Sequence, residues 1–306
     1  MAAFPPSGQQ YVISHGTQRA VITEVGGGLR TYAVDGKDVV DGYAEDEICS
    51  AARGAPLLPW PNRLQDGRYE FGGVTHQTPL SEPDRGNAIH GLTRWLSWTA
   101  GDQEADRVVM ELLLHPQEGY PFTLSLAIDY RLSERGLTVE TRATNTGSQA
   151  LPYGAGHHPY LTVGTERIDD ARLRIPALMY LEVDERQIPT GRALPVQGSA
   201  ANFLELRRIG SAKLDTAFAS LLSDADGLTR VELQAPGGQP SLTLWMDKTY
   251  RFIMAFTGDA IPQLDRRRRS LSLEPMTCAP NAFRSGDGLI VLAPGQSISS
   301  VWGILR

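Results

Sequence analysis

The sequence predicts an all-β fold built from antiparallel sheets. Strand-like segments recur along the whole chain, 31 glycines and 20 prolines punctuate them, and no long amphipathic helical pattern interrupts them. Strands of this kind bury one face, so large sheets packed face to face are expected. No Pro/Ser-rich linker, low-complexity block or internal repeat divides the chain, which predicts one domain over residues 1–306.

The clearest predicted element is an antiparallel hairpin over residues 122–146. Apolar side chains occupy alternate positions from Leu124 to Tyr130, residues 133–136 (SERG) form a turn, and the alternation resumes at Leu137. Further short strands separated by turns are predicted at 19–25, 29–34, 68–72, 107–114, 230–234, 241–246, 251–257, 270–274 and 297–304.

Composition and charge exclude several classes of protein. The 29 basic and 35 acidic residues give a formal net charge of -6, so no broad basic field exists to hold a nucleic acid. Cys49 and Cys278 lie far apart and form no CxxC pair, so neither a disulfide framework nor a zinc knuckle is predicted.

The sequence shows no sign of a membrane partner. The first residues (MAAFPPS) lack the basic region and apolar stretch of a secretory signal, and no apolar run approaches the ~20 residues needed to span a bilayer. We therefore expect a cytoplasmic protein. The sequence indicates no oligomeric state.

Polar residues cluster in four motifs where predicted strands give way to turns. These motifs are LPWPNR at 58–63, NAIHGL at 87–92, GHHPYL at 156–161 and LSLEPMT at 271–277. In the last, Leu271 and Leu273 share one strand face, so Ser272 and Glu274 project from the other. Pro275 is expected to interrupt the ladder directly after Glu274.

Each polar residue also has an ordinary structural explanation. A strand-end glutamate such as Glu274 is more often a surface charge, and a histidine such as His90 is often a core residue bonded to backbone. Arg63 can brace a loop, and Asp215 before a threonine is typical of a turn or cap. The motifs therefore point to a site only in combination.

The paired histidines His157 and His158 point to opposite faces of an extended segment, so at most one joins a given site. His-His pairs can ligate metals, but the chain has no HExxH or comparable spacing, and no metal is predicted. The chain also lacks a GxSxG elbow, a Cys/His nucleophile signature, a GxGxxG turn and a P-loop. Covalent catalysis and a nucleotide cofactor are therefore not predicted.

Taken together and in this order, the four motifs resemble those of the aldose 1-epimerase (galactose mutarotase) family. The resemblance spans nearly the whole chain, from VITEVG at 21–26 to LAPG at 292–295, and is greatest to a bacterial subgroup. It implies a large β-sandwich of the galactose mutarotase type, a supersandwich. It also implies an isomerase that acts on a small-molecule sugar and needs neither metal nor organic cofactor.

The resemblance also implies roles for individual residues: Glu274 matches the general base, His158 the general acid and His90 a second active-site histidine, while Asn62, Arg63 and Asp215 match sugar-binding positions. The sequence departs from better-known members at Leu92, which follows His90-Gly91, and at His157, which replaces the usual asparagine. The pocket wall is therefore expected to differ, and contact between His157 and the sugar stays open.

The implied reaction removes the proton of the C1 hydroxyl and protonates the ring oxygen, so that the C1–O5 bond opens and recloses on the other face. Glu274 near its ordinary pKa of ~4.3 is expected to be ionised, whereas a histidine near ~6.5 needs a neighbouring carboxylate such as Asp215 to stay protonated. Aromatic residues near the motifs either face the sugar or pack the core: Trp60, Trp95, Trp98 and Tyr160.

Two other readings stay open on sequence grounds. One is a non-catalytic sugar-binding or regulatory protein on the same scaffold; the other is a hydrolase, which needs two carboxylates flanking a glycosidic bond. The sugar itself is also open. Galactose and glucose are the default, but the arginine run 266–269 is either a solvated loop or a grip on a sulfonate, phosphate or other acidic group.

Overall fold

The structure, a computed structural model, describes residues 4–306 and confirms the all-β prediction. Within these residues the helices are one short α-helix, Ala282–Ser285, and three single-turn 3-10 helices, Pro83–Arg85, Ile168–Asp170 and Leu264–Arg266. No helix in this part of the chain has the length and apolar character to cross a bilayer.

The strands, in chain order, begin with β1 (Gln10–His15), β2 (Gln18–Thr23), β3 (Leu29–Val34), β4 (Lys37–Val40), β5 (Pro56–Leu57), β6 (Arg63–Gln65), β7 (Arg68–Phe71), β8 (Val74–Gln77), β9 (Asn87–Ile89), β10 (Thr99–Gln103), β11 (Arg107–Leu114), β12 (Leu124–Ser133) and β13 (Gly136–Asn145). They continue with β14 (Leu151–Tyr153), β15 (Gly156–His157), β16 (Tyr160–Leu161), β17 (Arg172–Arg174), β18 (Ala177–Val183), β19 (Pro189–Pro195), β20 (Arg207–Arg208), β21 (Asp215–Leu221), β22 (Thr229–Gln234), β23 (Ser241–Met246), β24 (Phe252–Phe256), β25 (Leu271–Met276), β26 (Ile290–Leu292) and β27 (Ser297–Leu305).

Two large antiparallel sheets dominate the described residues. One has 12 strands along the path β1-β2-β3-β4-β16-β25-β24-β21-β18-β19, with β15 pairing β25 and β5. The other has nine strands in the order β10-β11-β12-β13-β27-β23-β22-β17-β20. The central strands of the first sheet are β16, β25 and β24, and the GHHPYL and LSLEPMT motifs lie at β16 and β25.

The inner faces of the two sheets share one hydrophobic core. Ile128 of β12 and Leu244 of β23 belong to the same buried cluster as Ile253 of β24 and Leu273 of β25. Removing such apolar surface from water stabilises a sandwich by roughly 25 cal/mol per Å². The core therefore holds the central strands of the twelve-stranded sheet in a fixed position.

The predicted strands agree with the observed ones to within two residues at each end. In the hairpin of β12 and β13, Ser133 pairs with Gly136, so only two residues form the turn. The buried positions of β12 alternate, as the apolar pattern predicts.

Pro275 does not end its strand, contrary to the sequence-based expectation. β25 continues to Met276, and Pro275 lies opposite Ile253 of β24. The neighbouring amides at 273 and 277 donate to carbonyls on the other side, at Pro159 and Ala155. The missing N–H of Pro275 therefore faces the break between β15 and β16, where the ladder needs no donor.

Candidate active site

The six predicted site residues line one cavity over the outward face of the twelve-stranded sheet: Asn62, Arg63, His90, His158, Asp215 and Glu274. The cavity has a volume of about 350 Å³, which fits a small ligand. A larger depression of about 850 Å³ lies elsewhere, around Lys37, Glu166 and Arg306, and none of the six lines it.

Strand β25 positions Glu274. Leu271 and Leu273 are buried in the core between the sheets, so Ser272 and Glu274 project from the opposite face, as predicted. Met254 lies across from Glu274 in β24 and lines the same cavity. Glu274 is only 2% exposed, and its Oε2 atom has no hydrogen-bond partner within residues 4–306. The strand thus holds a buried carboxyl group, one oxygen of which makes no hydrogen bond to the described residues.

His158 lies beside this carboxyl group. Its Nε2 atom is 3.2 Å from Oε1 of Glu274, and its Nδ1 atom is 2.9 Å from the hydroxyl of Ser272. The ring of Tyr160 stacks on the imidazole with centroids 5.0 Å apart. Two groups capable of proton transfer therefore lie within contact distance in a shared cavity.

His157 points the other way, as expected for consecutive residues of an extended segment. Its Nε2 atom is 2.8 Å from the hydroxyl of Thr141, and its ring contacts Trp302 in the core. His157 is not among the residues that line the cavity. The structure thus places it in the core rather than in the cavity.

The loop that carries His90 crosses close to another backbone segment. His90 has a positive φ of 63°, and its amide donates to the carbonyl of Asn62 at 2.9 Å. A Cβ at Gly91 would lie 2.0 Å from the carbonyl oxygen of Leu58, so only glycine fits there. The crossing places the His90 ring 5.2 Å from that of His158, nearly perpendicular to it.

Arg63 is held by a carboxylate that sequence reasoning missed. Its Nε and Nη2 atoms donate to Glu82 at 3.0–3.2 Å, and Nη2 is 3.7 Å from Asp215. The backbone amide of Arg63 donates a hydrogen bond to Oδ1 of Asn62 at 2.8 Å. Glu82 lies in an ordinary Ser-Glu-Pro turn, and its only sequence signal is its proximity to the NAIHGL motif.

Arg94 is a second lining residue that was not predicted. It is half-buried, lies over the exposed ring of Trp95, and makes no hydrogen bond or ion pair with any residue of 4–306. Burial lowers its pKa from the ordinary value, since desolvation disfavours the charged form. The cavity therefore contains a guanidinium group without a protein carboxylate beside it.

The arginine run 266–269 does not reach the cavity. Arg268 is buried and paired with Asp169 and Asp259, so the interpretation as a solvated loop is also wrong for this residue. Arg266 donates to the carbonyl of Gly42 at 2.7 Å, and Arg267 donates to that of Ile261 at 2.7 Å. These side chains brace a loop behind the cavity rather than grip its ligand.

Of the four aromatic residues near the motifs, two line the cavity and two pack in the core. Trp95 and Tyr160 line the cavity, whereas Trp60 and Trp98 are buried in the core. Trp60 packs on the ring of Phe283 with centroids 5.4 Å apart. Trp95, which is exposed, and Tyr160, which is buried, therefore give the cavity an aromatic wall.

Burial shifts the protonation of the central pair in opposite directions. Desolvation, and then the nearby carboxylate of Asp215, raise the pKa of Glu274 to about 8. Desolvation lowers the pKa of His158 to about 3, with smaller effects from Arg94 and Arg53. Burial therefore opposes the expected ionisation of Glu274 and favours a neutral acid beside a neutral imidazole.

The substitution Glu274→Gln is expected to raise the melting temperature at pH 9 but not at pH 5. The pKa of Glu274 is raised on folding from 4.5 to about 8, so in this window the native state keeps a proton that the unfolded state releases. The free energy of unfolding of the wild type therefore falls by about 1.4 kcal/mol per pH unit as pH rises between these two pKa values. Neutral glutamine abolishes that loss.

Scanning fluorimetry from pH 5 to 9 measures this difference. Glu118→Gln, at an exposed glutamate, is the matched control and is expected to follow the wild type. A Glu274→Gln effect that is constant across the range contradicts a raised pKa.

Residues 4–306 contain no group of three His, Cys, Asp or Glu side chains placed to hold a metal ion.

Comparison with known proteins identifies similar sequences over nearly the whole chain. A sequence model described as aldose 1-epimerase matches residues 9–304. An Escherichia coli K12 protein named "Uncharacterized protein YihR" is 34% identical over 291 residues, covering 95% of this chain and 91% of its own. The galactose mutarotase of Mus musculus is 33% identical over 186 residues, covering 57% of this chain and 52% of its own.

Solved structures show the same fold. A putative aldose 1-epimerase from Escherichia coli K12 superposes with a TM-score of 0.82 at 23% identity, covering 97% of this chain and 98% of its own. A GalM/aldose epimerase homologue from C. elegans superposes with a TM-score of 0.84 at 16% identity, covering 97% and 99%. The predicted sandwich of the galactose mutarotase type is thereby confirmed.

Proposed function

The chain belongs to the aldose 1-epimerase family, and from this membership and the cavity we propose that it is a mutarotase that interconverts the α and β anomers of an aldose. The observation that carries the proposal is the contact between the buried side chains of Glu274 and His158, which lie 3.2 Å apart in the cavity. Glycosidic cleavage would instead need two carboxyl groups flanking the glycosidic bond, one as proton donor and one as base or nucleophile. Anomer exchange needs only a proton acceptor and a proton donor.

In the proposed reaction the form with ionised Glu274 and protonated His158 acts on the ring. Glu274 accepts the proton of the C1 hydroxyl while His158 donates to the ring oxygen, and the C1–O5 bond breaks to give the open-chain aldehyde. Rotation about C1–C2 presents the other carbonyl face. The ring oxygen then attacks C1, each group reverses its transfer, and the pair returns to its starting state.

The remaining residues would bind the sugar hydroxyls. Nη1 of Arg63 makes no hydrogen bond within residues 4–306, because Glu82 occupies the other side of the guanidinium. Nδ1 of His90 is buried without a partner in the same part of the chain. Asp215 has its pKa raised by burial and supplies further oxygens. Unsatisfied polar atoms in a cavity favour a ligand with several hydroxyl groups.

The unpaired guanidinium of Arg94 favours an aldose that also carries an anionic substituent. A half-buried cation without a carboxylate lacks part of its solvation and gains no ion pair in return. A sulfonate, phosphate or carboxylate on the sugar would supply the missing charge through a charge-assisted hydrogen bond. Arg94, rather than an arginine of the run 266–269, therefore places a positive charge in the cavity.

For an acidic aldose, the substitution Arg94→Gln is expected to raise KM by about 10- to 100-fold, the cost of losing a charge-assisted hydrogen bond. For a neutral hexose, KM is expected to change by less than about threefold. Anomer exchange measured by NMR across neutral, carboxylated, phosphorylated and sulfonated sugars tests both expectations.

Arg266→Gln is the matched control, since Arg266 lies outside the cavity. It is expected to leave KM unchanged for every sugar. Equal effects of Arg94→Gln on acidic and neutral sugars would contradict an anion-binding role.

A further inference from the structure

The hydroxyl of Ser272 connects the two proton-transfer groups. Its Oγ atom is 2.9 Å from Nδ1 of His158 and 3.2 Å from Oε1 of Glu274. Ser272 is completely buried. One hydroxyl group, closed to solvent, therefore touches both the acid and the base.

This arrangement follows from strand register. Ser272 and Glu274 are two residues apart and share one face of β25. Tyr160 of β16 lies opposite Ser272, and continuing the antiparallel register places His158 opposite Glu274. The amide of Leu273 donates to the carbonyl of Pro159 at 3.3 Å and supports that continuation.

We propose that Ser272 is a proton relay that transfers a proton from Glu274 to Nδ1 of His158 and so prepares the pair for catalysis. In the transfer, the O–H bond of Glu274 breaks as its proton moves to Oγ of Ser272. The original hydroxyl proton of Ser272 moves to Nδ1 at the same time. A carboxylic acid, a hydroxyl and a neutral imidazole become a carboxylate, a hydroxyl and an imidazolium, with no net gain or loss of protons.

The relay requires one tautomer of the resting imidazole. Nδ1 must be unprotonated to accept from Ser272, so the ring proton lies on Nε2. Nε2 lies 3.2 Å from Oε1 of Glu274, and Nδ1 lies 2.9 Å from the hydroxyl of Ser272. After the relay, Nε2–H is available to the ring oxygen of a sugar, and Nδ1–H donates to Ser272.

The charged surroundings explain why an internal donor is needed. Arg94 and His90 face the imidazole from the loop after β9, and Arg53 lies behind it, 4.2 Å from the ring centroid of Tyr160. The two arginines disfavour an imidazolium formed from solvent. On the other side, Asp215 of β21 and Arg63 face Glu274 with opposite effects on its charge. A proton supplied by Glu274 also creates the compensating negative charge beside the imidazolium.

The role of the relay in turnover rests on the proposed function. The positions of Ser272, His158 and Glu274 do not depend on that proposal. Ser272→Ala is expected to lower kcat for anomer exchange by about 10- to 100-fold, as expected for a lost relay hydrogen bond, with KM little changed. Ser300→Ala removes another buried hydroxyl, which donates to Tyr250; neither residue lines the cavity, and the variant is expected to retain wild-type kcat.

The pH profile separates a relay from a merely structural serine. Without the relay, uptake of a proton from solvent by the imidazole limits the rate, so kcat of Ser272→Ala is expected to rise as pH falls from 7 to 5. The wild-type profile is expected to be flat there, because this range lies below the pKa of Glu274 and the pair keeps its proton. A structural serine would lower kcat equally at every pH. Parallel profiles for the two proteins would therefore overturn the relay.

Nitrogen NMR of the histidines tests the geometry even without turnover. His158, assigned by the signal lost in His158→Gln, is expected to be the Nε2–H tautomer in the wild type and a tautomer mixture in Ser272→Ala. An Nδ1–H tautomer in the wild type would overturn the relay. Absence of anomer exchange on every sugar, with the expected tautomer present, would overturn the proposed function instead.

Discussion

Glu274→Gln is expected to reduce kcat for anomer exchange by about 10²- to 10⁴-fold, with KM changed by no more than a few-fold. Glutamine has nearly the same volume as glutamate and can still accept a hydrogen bond from Ser272. It cannot take up the proton of the C1 hydroxyl. Because the side chain is buried and touches His158, its loss removes the proton acceptor without opening the cavity.

Polarimetry on a freshly dissolved anomer measures this rate, and circular dichroism checks that the variant is folded. The control is Glu118→Gln, an exposed glutamate outside the cavity, which is expected to match the wild type. A folded Glu274→Gln variant with wild-type kcat would remove Glu274 from the reaction.

His158→Gln is expected to cause a loss of about 10²- to 10⁴-fold as well, because it removes the donor to the ring oxygen. The double variant with Glu274→Gln is expected to be little slower than either single variant, since the two groups act as one unit in transferring one proton. Rates for the four proteins complete a double-mutant cycle.

The neighbouring histidine provides the matched control for that cycle. His157→Asn introduces the residue that better-known family members carry there, at a position that faces Thr141 and the core. It is expected to alter melting temperature more than kcat per folded molecule. Additive losses in the double variant, or a loss in His157→Asn as large as in His158→Gln, would contradict the assignment.

The fold was predictable where strands are long enough to alternate. β12 and β13 are each ten residues long with buried positions that alternate along almost their whole length, and their hairpin is found where predicted. β5, β15 and β16 are two residues long, so no periodicity marks them. These short strands nevertheless bring the GHHPYL motif against β25, and only tertiary pairing specifies them.

The grouping of the site was predictable from its motifs, whereas its charges were not. Glu82 and Arg94 lie in turns with unremarkable sequence, yet one fixes Arg63 and the other leaves a guanidinium unpaired in the cavity. The run 266–269 is the most conspicuous charge cluster, and it braces a loop. The direction of a side chain in a loop depends on tertiary contacts that spacing does not encode.

The direction of the pKa shifts could not be predicted from sequence for a related reason. Ordinary pKa values apply to groups in water, and the sequence does not reveal how deeply a strand-end residue is buried. Glu274 lies under the loops that carry His90 and Arg94, so its pKa rises. The pair can still catalyse proton transfer. A neutral acid with a neutral imidazole holds the same number of protons as a carboxylate with an imidazolium.

Anomer exchange in H₂¹⁸O tests most directly the central claim that a buried carboxyl and imidazole open the sugar ring at C1. Saturation transfer between the two H1 resonances gives the exchange rate, and mass spectrometry gives the label at C1. We predict rapid exchange in the wild type with no enzyme-dependent incorporation of ¹⁸O, because C1–O5 breaks while C1–O1 stays intact. Incorporation of one label per anomeric inversion, or binding of the sugar without exchange, would contradict the account.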